Sequence, residues 1–282
     1  MICMTFFCSC NDKRDHGERE AADLLAQARS MIDSENFVVA RQLIDSIRSA
    51  YPRAFDVRKE AIEVLDILEM KEAMKDMAIN DSASIALAQK LDEMKKSFLL
   101  EKDPRYQTVG FYKDKQQPAS ALHRTCLYAE VDETGQMFLI SVITGKKIKH
   151  DRISVETSSG ESMESPLCFS FVTDNSAGYE EQATFKRSTD NDIAAFIENN
   201  ADKAIFIQCR GSEGNHRYQL SKADIQSIAR CCQLERTIQE AELLKRSSDS
   251  LKIKAKFFTK KRDKDRQEVK PAVEKTLPQE RP

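Results

Sequence analysis

The sequence has 282 residues, of which 40% are apolar and 32% charged, with eight glycines, seven prolines and no tryptophan. This length allows one or two domains, and the shortage of Gly and Pro favours long helices over a turn-rich β fold or a disordered chain. The net charge of −2 excludes a chain-wide basic footprint, so we expect no nucleic-acid partner.

The first ten residues, MICMTFFCSC, are apolar and uncharged, and a very polar segment follows them. This stretch is too short to span a bilayer, which needs about 20 apolar residues, and it is short even for a signal peptide. A small residue followed by Cys at the end of an apolar run resembles the cleavage region of Gram-negative lipoproteins. Ser9 and Cys10 occupy those positions, which predicts lipid attachment to Cys10 and a start codon further upstream. An apolar N-terminus of a cytosolic protein is the open alternative.

Residues 19–51 have apolar side chains at spacings of three and four, interrupted at Ser34-Glu35-Asn36, and Tyr51-Pro52 closes the segment. This pattern predicts a hairpin of two amphipathic helices. The spacing resembles one tetratricopeptide repeat, with Ala40 and Ile44 at its A-x3-F pair and Pro52 at its final proline. A lone hairpin cannot bury its own apolar face, so it must pack on this chain or on a partner. The candidate partner face consists of Leu24, Ala28, Met31, Phe37, Ala40 and Ile44.

Residues 53–101 contain no Pro or Gly and keep the same apolar spacing, which predicts a long helix with a possible break at Asn80-Asp81-Ser82. A second long helix is predicted over 221–262, after Ser221 and Asp224 in a variant capping box. Each helix is polar along one side, so we predict that the two pack antiparallel in a coiled-coil-like stalk.

Residues 104–220 contain seven of the eight glycines and are richer in β-branched and aromatic residues. Strands are predicted over 122–131, 136–144, 152–157, 167–173, 181–187, 204–210 and 216–220, with one short helix over 190–200. The segment therefore predicts a small antiparallel sheet or sandwich, and the chain as a whole an α+β fold. The predicted boundaries are 1–18, 19–103, 104–220, 221–262 and a basic disordered tail over 263–282.

No catalytic motif occurs in the sequence, and its four histidines and eight cysteines lack metal-ligand spacing. We therefore expect no enzyme activity, no metal and no cofactor. Residues 245–282 carry a local charge of +7 and the remainder −9. The basic segment is either a solvated tail or a contact for an anionic surface or an acidic partner.

The complete layout is similar to a group of uncharacterised Gram-negative envelope lipoproteins, as are the stretches EKDPRYQTVGFYKDK and DNDIAAFIENNADKAIFIQ. The resemblance implies a lipid-anchored location in the bacterial envelope, on the periplasmic or surface side, and assigns no catalytic residues. Our leading hypothesis is a non-catalytic scaffold for protein partners. The alternative is a small-ligand or glycan-binding lipoprotein whose β module forms an aromatic pocket from Tyr128, Phe138, Phe169 and Tyr179.

Overall fold

The computed structural model describes the backbone of residues 10–117, 124–168, 170–175, 178–188 and 191–274, and side chains within 16–117, 124–168, 179–188 and 191–264. The elements in chain order are α1 (Cys10–Asp33), α2 (Phe37–Ala50), α3 (Phe55–Lys95), β1 (Phe98–Glu101), β2 (Phe111–Asp114), β3 (Cys126–Asp132), β4 (Met137–Thr144), β5 (His150–Thr157), β6 (Ser162–Glu164), β7 (Ser170–Asn175), β8 (Gly178–Lys186), α4 (Ile193–Asn199), β9 (Ile205–Gly211), β10 (Gly214–Gln219) and α5 (Lys222–Glu274). The predicted α+β fold class is confirmed.

The chain divides into two compact units. The helical unit contains the residues up to Ala83 and those from Leu244 onward, and the sheet unit contains Ser84–Leu243. The sequence-based boundaries assigned the long helices and the β module to separate segments. In the structure the sheet unit includes the end of α3 and the beginning of α5, because apolar residues of both helices join its core.

In the helical unit, α1 and α2 form the predicted hairpin. The turn between them is a Schellman motif, in which the Asn36 amide donates to the Met31 carbonyl and the Glu35 amide donates to that of Ile32. Glu35 has a φ of 59°, in the left-handed region that usually favours glycine. The apolar faces of α1 and α2 share one core with the first half of α3, where Ala61, Val64 and Leu68 are buried.

The helical unit also contains antiparallel contacts between α3 and α5. Met70 contacts Thr259 at 3.5 Å, and Asn80 donates a 2.9 Å hydrogen bond to Ser247. Residues later in α3 therefore contact residues earlier in α5, as in an antiparallel helix pair. The burial of α5 follows the three-four spacing of a coiled-coil seam. Its half-buried or buried seam residues are Leu244, Ser248, Leu251, Ala255, Phe258 and Arg262.

Two predicted ends of the long helices are wrong, and of the two alternatives at Asn80-Asp81-Ser82 the structure has the unbroken helix. Helix α3 continues through Asn80 and Asp81, because these side chains bond to Ser247 and Ser248 of α5 and do not cap a new helix. It ends at Lys95, and β1 follows because Phe98 enters the core of the sheet unit. Helix α5 extends past residue 262 to Glu274, since the additional segment is rich in Lys, Arg, Gln and Glu, which favour helix.

The sheet unit contains a six-stranded sheet in the order β1-β2-β3-β4-β8-β7 and a four-stranded sheet in the order β10-β9-β5-β6. All their pairings are antiparallel. Alternate residues of both sheets, together with α4 and the beginning of α5, form one apolar core. The short strands β1, β2 and β6 were not predicted, because four residues or fewer give too little alternation to recognise.

Candidate functional site

The candidate partner face is part of the core of the helical unit. Ala28, Ala40 and Ile44 are fully buried and Phe37 is almost so, while Leu24 and Met31 are half-buried at the edge of the same cluster. The hairpin buries its apolar face against α3, which was one of the two possibilities that the sequence left open.

Cys10 is the first residue of α1, and its side chain lies outside the described residues. Residues 1–9 also lie outside them. No helix in the described part of the chain is both long and apolar enough to cross a bilayer. The lipid attachment predicted for Cys10 therefore stays a prediction.

The predicted aromatic pocket is not formed by the residues named for it. Tyr128 pairs with Ile140 and lies on the same face of the six-stranded sheet as Phe138. Tyr179 lies on the opposite face, where its hydroxyl donates to Glu181 at 3.3 Å. Phe169 lies outside the described residues. Successive strand residues point to opposite faces, so the rings of Tyr128 and Phe138 cannot line one pocket with that of Tyr179.

The sheet unit contains a buried polar array that joins its two sheets. Glu181 of β8 and Ser141 of β4 belong to the six-stranded sheet, and His150 of β5 and Cys209 of β9 belong to the four-stranded sheet. All four side chains have no solvent-exposed area. Because they reach across the sandwich interior, each needs a partner there, since an unpaired buried polar group costs about 1–3 kcal/mol.

The backbone bends at the start of β5, so that its amide groups point towards the buried array. Lys149 has a φ of 51°, and the register shifts between His150 and Arg152. The bend directs three consecutive amides at the Glu181 carboxylate: Ile148 at 3.2 Å, Lys149 at 2.9 Å, and His150. Gly211 allows the bend, because a Cβ atom there would lie only 2.1 Å from the Ile148 carbonyl oxygen. Such an amide nest is a good site for an anion.

The side chains continue this network. His150 Nδ1 bonds to Glu181 Oε1, His150 Nε2 lies 3.1 Å from Ser141 Oγ, and Ser141 Oγ lies 3.6 Å from Cys209 Sγ. A consistent assignment has the thiol donating to the hydroxyl, the hydroxyl to the imidazole and the imidazole to the carboxylate. Every group then has a partner.

The pKa shifts of Glu181 and Cys209 agree with these donor and acceptor roles. Burial by itself raises the pKa of Glu181, but hydrogen bonds from the His150, Lys149 and Ile148 amides and the His150 ring outweigh it, so that the pKa lies below its ordinary value. Burial raises the pKa of the Cys209 thiol to about 11. The carboxylate is therefore ionised and the thiol protonated at neutral pH.

Serine, histidine and carboxylate in this order have the connectivity of a nucleophilic triad. Here the serine oxygen is enclosed by both sheets, and all three side chains are fully buried, so no substrate can reach them in this conformation. The array therefore acts as a clamp that fixes one sheet on the other. Sequence analysis missed it, because its members are separated by tens of residues and match no motif.

A second polar centre attaches α5 to the sheets. Arg187 donates to Asp192 at 2.7 Å and also pairs with Glu235 of α5. Residues around Arg187 and Asp192 line a small cavity of about 10 Å³. This volume is close to that of one water molecule, whereas ligand pockets usually occupy several hundred cubic ångströms. It offers no site for a sugar.

The edge of the six-stranded sheet at β1 carries exposed apolar side chains. Leu99 and Leu100 are 52% and 42% exposed, and nearby in the chain Tyr106 is 82% exposed. Among the described strands, β1 is the terminal strand of the sheet and pairs with β2 alone. Among the described side chains, no group of three or more His, Cys, Asp or Glu residues could hold a metal ion.

No family model, curated protein or solved structure matches this chain.

Proposed function

We propose that this protein is a non-catalytic interaction protein, anchored in a bacterial envelope by a lipid on Cys10, whose sheet unit binds an extended segment of a partner protein along β1. The observation that carries the proposal is the open, leucine-bearing edge of β1. A partner strand added there would extend the six-stranded sheet, a common mode of peptide recognition.

The hydrogen-bonding pattern of β1 supports this mode. The Lys115 amide donates to the Ser97 carbonyl at 2.9 Å, just before the ladder in which Phe98 pairs with Asp114. Backbone groups in an antiparallel strand alternate between the two sides. Ser97, Leu99 and Glu101 therefore face β2, and the N–H and C=O groups of Phe98 and Leu100 point away from the sheet.

A comparison with another sheet edge supports the choice of β1. β10 ends the four-stranded sheet and contains His216 and Arg217, and Arg217 pairs with Glu156 at 3.0 Å. Charged edge strands discourage strand addition. β1 contains one charged residue, Glu101, which pairs with Lys113 at 2.6 Å, but it also has two exposed leucines. Its edge is therefore the better docking site for an apolar extended segment.

Site-specific photo-crosslinking at Leu100 tests partner binding directly. The chain is expressed from its own chromosomal locus with a C-terminal tag, and the crosslinker replaces Leu100 or, as a control, the exposed Leu167. We expect one dominant crosslinked partner from position 100 and none from position 167. The double change Leu99→Lys and Leu100→Lys should remove the same partner from affinity purifications, whereas Leu167→Lys should retain it. An unchanged partner set in both variants would refute docking at β1.

Anchoring is tested separately with Cys10→Ala at the same locus. We expect the wild-type chain to incorporate labelled fatty acid and to fractionate with membranes, and the variant to lose the label. If both forms carry equal label, Cys10 is not the acceptor. This outcome leaves the crosslinking result at β1 unaffected, so the two parts of the proposal can fail independently.

A further inference from the structure

The side of α5 that faces away from α3 in the helical unit combines exposed apolar and basic residues. Ile253 and Phe257 are one helical turn apart and are 71% and 60% exposed. Arg246, Lys256 and Lys260 are also exposed and lie on the same side of the helix, by the 3.6-residue period. We call these five residues the outer face of α5.

The cations of α5 are divided between two roles. Lys254 and Lys261 point towards α3, where they pair with Glu69 at 2.5 Å and Asp66 at 2.6 Å. Within the described part of the chain, the cations of the outer face have no ion pair. The only acidic residue between them on this side, Asp249, lies 3.7 Å from Lys252. The outer face therefore keeps an uncompensated positive charge.

We infer that the outer face of α5 is a binding surface for an anionic phospholipid membrane. Exposed Phe and Ile side chains flanked by lysines are the residues that a surface-lying helix inserts at the boundary between headgroups and acyl chains. Each Lys or Arg near an anionic bilayer contributes further attraction. An acidic protein would satisfy the lysines but would leave the convex apolar pair without a matching groove.

The position of α1 in the same unit strengthens this assignment. A Cβ atom placed on Gly17 would lie 3.9 Å from the Tyr51 ring, shortly before α3 begins, and Asp66 of α3 pairs with Lys261. Because α3 and α5 are antiparallel, the start of α3 lies level with the C-terminal part of α5. Cys10 lies about 10 Å further along α1 at 1.5 Å per residue, in the direction in which α5 runs from Lys256 and Lys260 towards its C-terminal end.

This inference rests on the membrane location in the proposed function, but not on acylation of Cys10. The test therefore uses the full chain with Cys10→Ser, which carries no lipid. Its sedimentation is measured with vesicles of phosphatidylcholine alone and with vesicles of equal parts phosphatidylcholine and phosphatidylglycerol. We expect binding to the second kind only, weakening as salt is added.

Two sets of variants measure separately how much the lysine charges and the burial of Phe257 contribute to vesicle binding. Lys256→Gln with Lys260→Gln should weaken vesicle binding about thirtyfold, from about fivefold for each cation. Phe257→Ser should weaken it about tenfold through lost apolar burial. The matched control, Lys90→Gln with Lys222→Gln, changes two exposed lysines of the sheet unit and should bind as before. Circular dichroism verifies that each variant is folded.

Three results would overturn the inference. One is a lack of binding to phosphatidylglycerol vesicles, and another is an equal loss in the Lys90 and Lys222 control. The third is binding to soluble polyglutamate that is as strong as to vesicles and insensitive to Phe257→Ser, which would indicate an acidic polymer as the ligand. None of these outcomes depends on lipid attachment or on β1, so they leave the proposed function to its own tests.

Discussion

The helical unit and the sheet unit place their polar contacts differently. In the helical unit the ion pairs lie mostly at the surface: Arg29 and Glu60, for example, have 46% and 52% of their side chains exposed. In the sheet unit the carboxylates of Asp114 and Glu181 have no exposed side-chain area. Apolar periodicity therefore specifies the first unit, whereas the second also depends on buried polar partners.

This difference has an energetic consequence. Exposed ion pairs contribute about 0–1 kcal/mol, because water already solvates both groups. Breaking a buried pair is far more damaging, because the remaining charge is left without solvent or partner. The two units should consequently respond to different kinds of substitution, and hydrogen–deuterium exchange measured by mass spectrometry can assign each response to its unit.

The largest effect is expected for Glu181→Ala in the sheet unit. The change leaves three amides and the His150 ring without their acceptor, and should cost about 3–5 kcal/mol of unfolding free energy. Urea unfolding followed by circular dichroism measures it. Glu180→Ala is the control, since Glu180 is adjacent in β8 but only half-buried, and should cost about 0.5 kcal/mol or less. Equal losses would contradict the clamp.

In the helical unit the largest effect should come from a cavity. Ile44 is fully buried, so Ile44→Ala removes apolar contacts with α1 and α3 and should cost about 3 kcal/mol. Faster exchange should be confined to the helical unit. Val38→Ala, at a position that is 68% exposed in the same helix, should change stability by about 0.5 kcal/mol or less. A similar loss of unfolding free energy at both positions would show that Ile44 is not part of the core.

A smaller, pH-dependent effect separates the units further. The pKa of Glu181 in the folded chain lies below the ordinary value of 4.5, so its ionised form stabilises the fold. This contribution is fully present above pH 4.5 and is lost as the pH falls through the folded pKa. The difference in unfolding free energy between wild type and Glu181→Gln should therefore be constant near neutral pH and shrink in acid. A difference that grows in acid would show that the pKa of Glu181 is raised, not lowered, in the folded chain.

The smallest effect is expected at the surface of the helical unit. Arg29→Ala removes the 2.5 Å pair with Glu60 and should lower the unfolding free energy by less than about 1 kcal/mol. Added salt should reduce the effect further, because it screens exposed charges. The thermal midpoint of wild type and variant, compared at low and high salt, measures this. A loss as large as that for Glu181→Ala would remove the contrast between the units.

Much of the fold could be predicted because the relevant signals are local. The hairpin, both long helices and most of the longer strands follow from apolar spacing over a dozen residues or fewer. The candidate partner face shows where this reasoning stops. Periodicity identified Phe37, Ala40 and Ile44 as one apolar face, but could not tell whether α3 or another protein covers it.

The sequence by itself therefore determined the elements and their apolar faces, and only the tertiary structure decided which faces remain free. Ser141, His150, Glu181 and Cys209 come from four strands and two sheets, and no spacing in the chain brings them together. The same holds for the open edge of β1 and for the outer face of α5. Burial depends on what packs against a surface, and that is settled by contacts between residues far apart in the chain.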